Sequence, residues 1–304
     1  MLFIADMSRV LLFFIDGLGI GARGPCNPLD GLRDADPLAI FQDEEPEIIF
    51  DGALVRTDAR LGVEGRPQSA SGQTTILTGI NAPARLGYHK QGFPNQALLE
   101  IIREHSIFLQ LKRLGLAPNT FANAYTPRFF ESRPRWVSAT TAAVEAAGMR
   151  FRDLEDLMKG RAVYQDFTNG MLIERGLPIL TRTPEQAAET LAALAAEHRF
   201  TLYEYFITDK IGHLQDIEAA RVVLAGLARL LRALLARLDL RRTTLILTSD
   251  HGNIENLSSR NHTLNLVPTL VWGEQRDRFV RRISTLADIT PSIVEALSPK
   301  VTAN

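Results

Sequence analysis

One cysteine in 304 residues, a net charge of -1 and the want of any long uninterrupted apolar run are the scarcities that first narrow this chain. A single Cys26 can form neither an intrachain disulfide nor a thiolate metal cluster, which points to a reducing, cytoplasmic setting and leaves Asp, Glu and His as the metal donors. With 34 basic against 35 acidic residues, no chain-wide attraction to nucleic acid or to an anionic membrane is expected. An anionic ligand would have to be held by local charge. Asp16 closes the apolar run at 10–15 after only six residues, so this segment reads as a buried strand rather than a signal peptide. The Leu-rich stretch 219–240 is studded with arginines and falls short of the roughly 18 apolar residues a membrane span needs. A soluble protein is the expectation.

What is present is enough apolar material, 45% of the residues, to bury a large core. Short apolar runs at 10–15, 120–124, 201–207, 244–248 and 269–272 alternate with helix-like stretches. That alternation predicts an α/β fold, a three-layer sandwich in which a largely parallel sheet is covered by helices on both faces. One domain over 1–304 fits the length. Thr183-Pro184-Glu185-Gln186 is a capping box ahead of a helix over 187–198, and Thr290-Pro291 is read as opening a helix that ends near Leu297. Leucines at helical spacing from 217 to 240, interrupted by Arg221, Arg229, Arg232 and Arg237, predict a packing helix with one solvated face. The segment from about 128 to 176 fits the alternation poorly and gathers arginines beside aromatic residues, as a small inserted lid would.

Oxygen and imidazole donors stand at the ends of these runs: Asp16, Asp209, His213, Asp250, His251 and His262, taking up three of the six histidines. In open α/β sheets ligands gather outside the carboxyl ends of the strands, so segments distant in sequence can converge there. Asp209-x-x-x-His213 would aim two donors from one helical turn at the same ion. Adjacent Asp250 and His251 point different ways and suit two neighbouring ions, or one ion and the groups that support its ligands. Singly, each histidine reads as an ordinary hydrogen-bonded residue; jointly, beside Gly17, Gly212 and Gly252, they predict a two-metal site. The run Ser69-Ala70-Ser71-Gly72-Gln73-Thr74 offers a small-residue turn and a helix N-terminus, where a hydroxyl and an anion can meet. On residue types alone, Ser69 and Ser71 both remain candidate nucleophiles, and so does the reading of the stretch as a simple helix cap.

The ordered set Asp16-Gly17, Ser69 with Gly79, Asp209-x-x-x-His213, Asp250-His251-Gly252-Asn253 and Asn261-His262-Thr263 resembles the alkaline phosphatase superfamily. Within it, the last two motifs, with Val267-Pro268, look most like the branch of cofactor-independent phosphoglycerate mutase and phosphopentomutase. The run 286–293 is similar to a C-terminal helix signature common across the superfamily. The resemblance implies an alkaline-phosphatase-like fold, Ser69 as nucleophile, Asp16, Ser69, Asp250 and His251 around one ion, and Asp209, His213 and His262 around the other. It implies two divalent ions, Mn or Zn, and a small phosphorylated substrate. Two departures stand out: the stretch between Gly79 and Thr201 is too short for the full cap domain of the mutases, and Gln73 occupies the position where they carry a histidine.

The leading expectation is therefore a metal-dependent phosphatase or phosphodiesterase acting through a phosphoserine at Ser69. Arg128, Arg133 and Arg135 are the candidate phosphate-gripping residues, against the plainer reading of solvated charges. His89, Lys90 and Asn95, which follow the nucleophile helix, read as surface loop residues. A phosphomutase on a sugar or glycerate phosphate is the first alternative. A metal-binding regulatory protein that keeps the fold without the chemistry is the second, and the joint presence of nucleophile and donors speaks against it.

Overall fold

The computed structural model describes residues 8–132 and 134–299. Six strands, β1 (Arg9–Ile15), β2 (Ala53–Thr57), β3 (Asn119–Phe121), β4 (Phe200–Tyr205), β5 (Thr243–Ser249) and β6 (Val267–Trp272), form one sheet in the order β2-β6-β5-β1-β4-β3. β1 pairs in parallel with both β4 and β5, and β3 is parallel to β4; β6 runs antiparallel to β5 and to β2. β1 explains why the run at 10–15 is apolar throughout. Side chains alternate across a strand, so Leu11, Phe13 and Ile15 enter the core on one face while Val10, Leu12 and Phe14 enter the core on the other. Burying each such side chain stabilises the fold by roughly 1.5–3 kcal/mol.

The first face is covered by the helices Pro184–Glu197 and Ile217–Leu235, through Leu191, Leu194, Leu224, Leu227 and Leu231. The second face takes Ile107–Arg113, Ala139–Ala146 and Ile289–Leu297, through Phe108, Val144 and Ile293. Helices on both faces of a mostly parallel sheet make the three-layer α/β sandwich that the alternation predicts. No helix among the described residues is long and apolar enough to cross a membrane.

Several boundaries differ from expectation, each for a local reason. β2 is absent from the predicted strands because Ala-Leu-Val-Arg-Thr is short, half-buried and carries Arg56, as an edge strand can. The strand expected over 201–207 ends at Tyr205, and Ile207 already begins the helix Ile207–Leu214. The leucine-spaced helix stops at Leu235, before the expected 240. The capping box at Thr183 and Gln186 forms as predicted, with both reciprocal bonds present. Thr290 does not cap: its hydroxyl lies inside the helix Ile289–Leu297 and donates to the Ile76 carbonyl, tying that helix to the one bearing Ser69.

The segment 128–176 is not one exposed piece. Ala139–Ala146 is buried in the second core, Val163 and Phe167 join the first, and Leu157, Ala162, Tyr164 and Leu172 form a small cluster of their own. Mainly the stretch around Arg128, Phe130 and Trp136 lies open to solvent.

Candidate metal centre

Asp16 follows β1 and Asp250 follows β5, so two neighbouring parallel strands deliver two carboxylates to the same end of the sheet. The chain turns sharply after each. Gly17 has a φ of 75°, and a Cβ there would stand 2.8 Å from that of Asp209. Only glycine lets these two segments approach so closely. Ser69 opens the helix Ser69–Thr78 after an extended Gln68, which lifts its hydroxyl to the N-terminus of a ten-residue helix. Ser71, the other candidate hydroxyl, is fully buried and committed elsewhere: its Oγ accepts from Lys90 N at 3.0 Å, while its own N–H donates to the Lys90 carbonyl. Asp209 and His213 lie on one face of the helix Ile207–Leu214, Nε2 to Oδ2 3.2 Å.

All seven residues singled out as ligands meet. Ser69 Oγ is 2.9 Å from His251 Nε2, which is 3.2 Å from Asp16 Oδ1 and 3.6 Å from Asp250 Oδ2. His262 Nε2 lies 3.5 Å from Asp209 Oδ1 and 3.3 Å from His213 Nε2, and its ring stacks on His251 with centroids 3.6 Å apart. Two sets of donors are close enough to share one ion each, Asp16 with Asp250 and His251, and Asp209 with His251 and His262. His251 thus stands between both sets rather than in the first alone.

The electrostatics fit cations. His213 Nδ1 faces the Arg260 carbonyl at 2.7 Å and His262 Nδ1 faces the Pro67 carbonyl at 3.0 Å. A carbonyl only accepts, so each Nδ1 donates a proton outward and each Nε2 is directed into the cluster. The two Nε2 atoms face one another beside the Asp209 carboxylate, where a cation can take the place of a shared proton. Burial drives Asp16 above the usual carboxylate range, and burial with the charge of Asp16 drives Asp250 well above it. His251 is buried, which by itself would lower its pKa, but Asp250, Asp16 and Asp209 outweigh that and push it up to about 10. Asp209 moves the other way: burial is overcome by the hydrogen bond of His262, the charge of His251 and the short bond from Asn253 Nδ2 (2.6 Å). The buried Asp16 Oδ1 and His251 Nδ1 have no hydrogen-bond partner among the described residues. A divalent cation would supply the missing charge and partners together.

Other residues here support the cluster, among them Gln73, which stands where the mutases carry a histidine, and Glu255 and Glu204, which nothing in the sequence singles out. Gln73 Nε2 donates to Asp16 Oδ2 at 3.1 Å and to Asp250 Oδ2 at 3.2 Å, a neutral bridge between two carboxylates. Glu255 is buried and accepts from Gly19 N, Asn253 N, Thr263 Oγ1 and Asn265 Nδ2, pinning the loop that carries His262. Glu204, one residue before the end of β4, is raised to about 7 by burial and by the nearby charge of Asp16. Glu255 looks like any loop acid in the sequence, and nothing in the residue type of Gln73 signals its inward turn; its place one helical turn after Ser69 was the available signal.

A cavity of about 360 Å³ opens over the cluster, reaching Ser69, Asp209, His213 and His262 and bordered by the exposed Gln91 and Arg260. Of the expected phosphate-gripping arginines, neither Arg128 nor Arg135 lines it. Arg135 borders a separate cavity with Arg103 and Glu145, Arg128 is exposed on the short helix Pro127–Glu131, and Arg133 lies outside the described residues. Arginines beside aromatic residues look like a binding lid in the sequence; here Arg135 lies over Trp136 on the surface. His89 Nε2 donates to the Val63 carbonyl at 3.3 Å, and Asn95 caps the helix Gln96–His105.

Residues 153–300 match the family model of the Metalloenzyme superfamily. The chain is 30% identical over 126 residues to the 2,3-bisphosphoglycerate-independent phosphoglycerate mutase of Dinoroseobacter shibae, covering 38% of this chain and 25% of that protein. It is 35% identical over 144 residues to the protein of the same name from a Synechococcus strain, covering 40% and 27%. It thus spans about a quarter of the length of the curated relatives it matches. Among solved structures, a protein from Pyrococcus horikoshii superposes with a TM-score of 0.54 at 13% identity, covering 98% of this chain and 100% of that one. The alkaline phosphatase of the Antarctic bacterium TAB5 superposes with a TM-score of 0.50 at 14% identity, covering 96% and 99%. At such identities the superpositions speak for the fold alone.

Proposed function

We propose that this chain, which matches the Metalloenzyme superfamily over residues 153–300 and resembles phosphoglycerate mutase over part of its length, is a metal-dependent phosphohydrolase of the alkaline phosphatase superfamily using Ser69 as nucleophile. The observation that carries this reading is the placement of Ser69 Oγ, at a helix N-terminus, 2.9 Å from His251 and facing an open cavity. Asp16, Ser69, Asp250 and His251 would hold one divalent ion and Asp209, His213 and His262 the other, with His251 placed between them. Imidazole and carboxylate donors without thiolate suit Zn or Mn. Bound there, such ions would lower the pKa of the serine hydroxyl and offset charge on the phosphoryl oxygens.

The chain's own residues do the rest. The helix N-terminus favours the anionic phosphoryl group, and Ser69 Oγ approaches phosphorus opposite the ester oxygen. The Oγ–P bond forms as the bond from phosphorus to the ester oxygen breaks; the hydroxyl proton goes to solvent and the departing alkoxide takes one from it. Water then attacks the phosphoserine, releasing phosphate and restoring the hydroxyl. The exposed Gln91 and Arg260 at the cavity edge are consistent with water as acceptor. Phosphate return to a substrate hydroxyl, as in a mutase, is the second reading, and the names of the matched relatives favour it.

The test is Ser69→Ala in protein loaded with zinc or manganese and assayed on aryl phosphates without a phosphorylated acceptor. Metal content is expected to stay within about twofold, while release of inorganic phosphate falls by at least about 10³-fold. Undiminished release from Ser69→Ala would end the covalent reading. Turnover that appears only when a phosphorylated acceptor is supplied would favour the mutase.

A further inference from the structure

Arg260 borders the cavity over Ser69, two residues before His262, and carries the one permanent positive charge among the residues lining it. Its backbone carbonyl orients His213, so the side chain starts at the outer edge of the Asp209, His213 and His262 set. The guanidinium is held without being neutralised. Its Nε donates to Gln215 Oε1 at 3.2 Å, and Gln215, in a left-handed conformation with φ 58°, also fixes the loop through Nε2 to the Leu257 carbonyl. Among the described residues Arg260 has no salt-bridge partner, whereas Arg23, Arg150, Arg229, Arg276 and Arg278 each pair with a carboxylate. A surface arginine with a free fork is ordinary; one tethered by an amide at the mouth of an anion site is placed for a ligand.

We propose that Arg260 is a specificity-determining residue that receives a second anionic group, carried on the alcohol portion of the phosphate ester. The inference rests on the function proposed above, since that fixes which end of the ester faces outward. Ser69 approaches phosphorus from the floor of the cavity, so the departing oxygen and its substituent point away from Ser69, toward the rim. The rim there offers neutral amides, which satisfy many partners weakly, and one planar guanidinium that can take a carboxylate or a phosphate through two parallel hydrogen bonds. An ester with an uncharged alcohol leaves that fork unused. Gln215 is a positioning residue in this scheme: it restricts the guanidinium without consuming its terminal nitrogens.

The experiment compares phenylphosphonate with 4-carboxyphenylphosphonate, which the enzyme cannot cleave, by calorimetry on metal-loaded wild type, Arg260→Gln, Arg260→Lys and Gln215→Ala. Wild type is expected to favour the carboxylated compound about tenfold or more at low salt, a preference that fades with ionic strength. Arg260→Gln should reduce it below about twofold, with Arg260→Lys and Gln215→Ala between. The ratio of kcat/KM for 4-carboxyphenyl phosphate over phenyl phosphate should follow the same order, through KM. An unchanged preference in Arg260→Gln, or none in wild type, overturns the assignment even if both esters are hydrolysed. If neither ester is hydrolysed while the calorimetric preference still depends on Arg260, the anion site stands and the hydrolase reading falls.

Discussion

Asp16, Asp250 and His251 come from the ends of two adjacent central strands, and the side chains of Asp250 and His251 are wholly buried. Asp209, His213 and His262 come from a helix and a loop at the cavity edge, where the His213 side chain is 43% exposed. The charge environments differ as much as the burial. The strand-borne carboxylates are held above their usual range by burial and by each other, whereas Asp209 is held below its own by His262, His251 and Asn253. One half of the cluster is thus buried and short of positive charge; the other borders the cavity and is already partly compensated. A fold can place high-charge groups this way only by building the demanding half on its stiffest elements and leaving the half that must admit ligand on segments that can adjust.

The sharpest way to break this comparison is to remove one donor from each half. Asp250→Asn takes a full charge from the buried set, and metal affinity is expected to fall by more than about 100-fold, beyond what losing an outer hydrogen bond to a ligand brings. The same change relieves the repulsion between Asp16 and Asp250, so the chelator-treated variant should melt higher than chelator-treated wild type. His213→Asn, at the exposed edge, should weaken one ion by about 10–100-fold and leave the other in place. Chelator titration followed by metal analysis checks both: wild type should release its ions in two steps, His213→Asn should lose the first, and Asp250→Asn should lose tight binding. Equal effects from both substitutions would mean the halves are not distinct.

The halves also differed in how far they could be read from the residues alone. β1 was legible because a strand buried on both faces has no polar position to confuse it, and Asp16 marks where burial stops. Asp209 and His213 were legible because helical geometry ties their spacing to a shared direction. What stayed hidden was the support. Gln73 gives no sign that its amide turns inward to two carboxylates, and Glu255 looks like any loop acid until its four donors are assembled from three segments. Arg128, Arg133 and Arg135 cluster along the chain and Arg260 does not, yet Arg260 lines the cavity: clustering in sequence is a poor guide to which cation reaches a site.

Glu255 sharpens the comparison from the open side. Glu255→Ala strips an acceptor from the Gly19 and Asn253 amides, the Thr263 hydroxyl and the Asn265 amide in a buried place. Leaving those donors unpaired is expected to destabilise the protein by about 2–4 kcal/mol. Because the loop leads to His262, binding of the outer ion should weaken with it, while Ser69, on its own helix, keeps its place. Denaturant unfolding with and without metal measures this; a variant as stable as wild type would show that water replaces the carboxylate without loss.

The smallest expected effect lies behind the buried half. In the folded protein, burial and the charge of Asp16 raise Glu204 from 4.5 to about 7. Below about pH 4.5 the side chain is protonated in folded and unfolded chains alike, and contributes no difference. Between there and about pH 7 the unfolded chain gives up its proton while the folded one retains it, so stability is progressively lost as pH rises, and the loss is constant above. Glu204→Gln removes that penalty. In chelator-treated protein it should therefore be the more stable form at pH 8, by about 1–2 kcal/mol given that the side chain keeps some solvent contact, and indistinguishable from wild type near pH 4. With metal bound at Asp16 the repulsion is offset, and the gap at pH 8 should narrow; a gap that ignores both pH and metal would mean Glu204 does not sense the buried half at all.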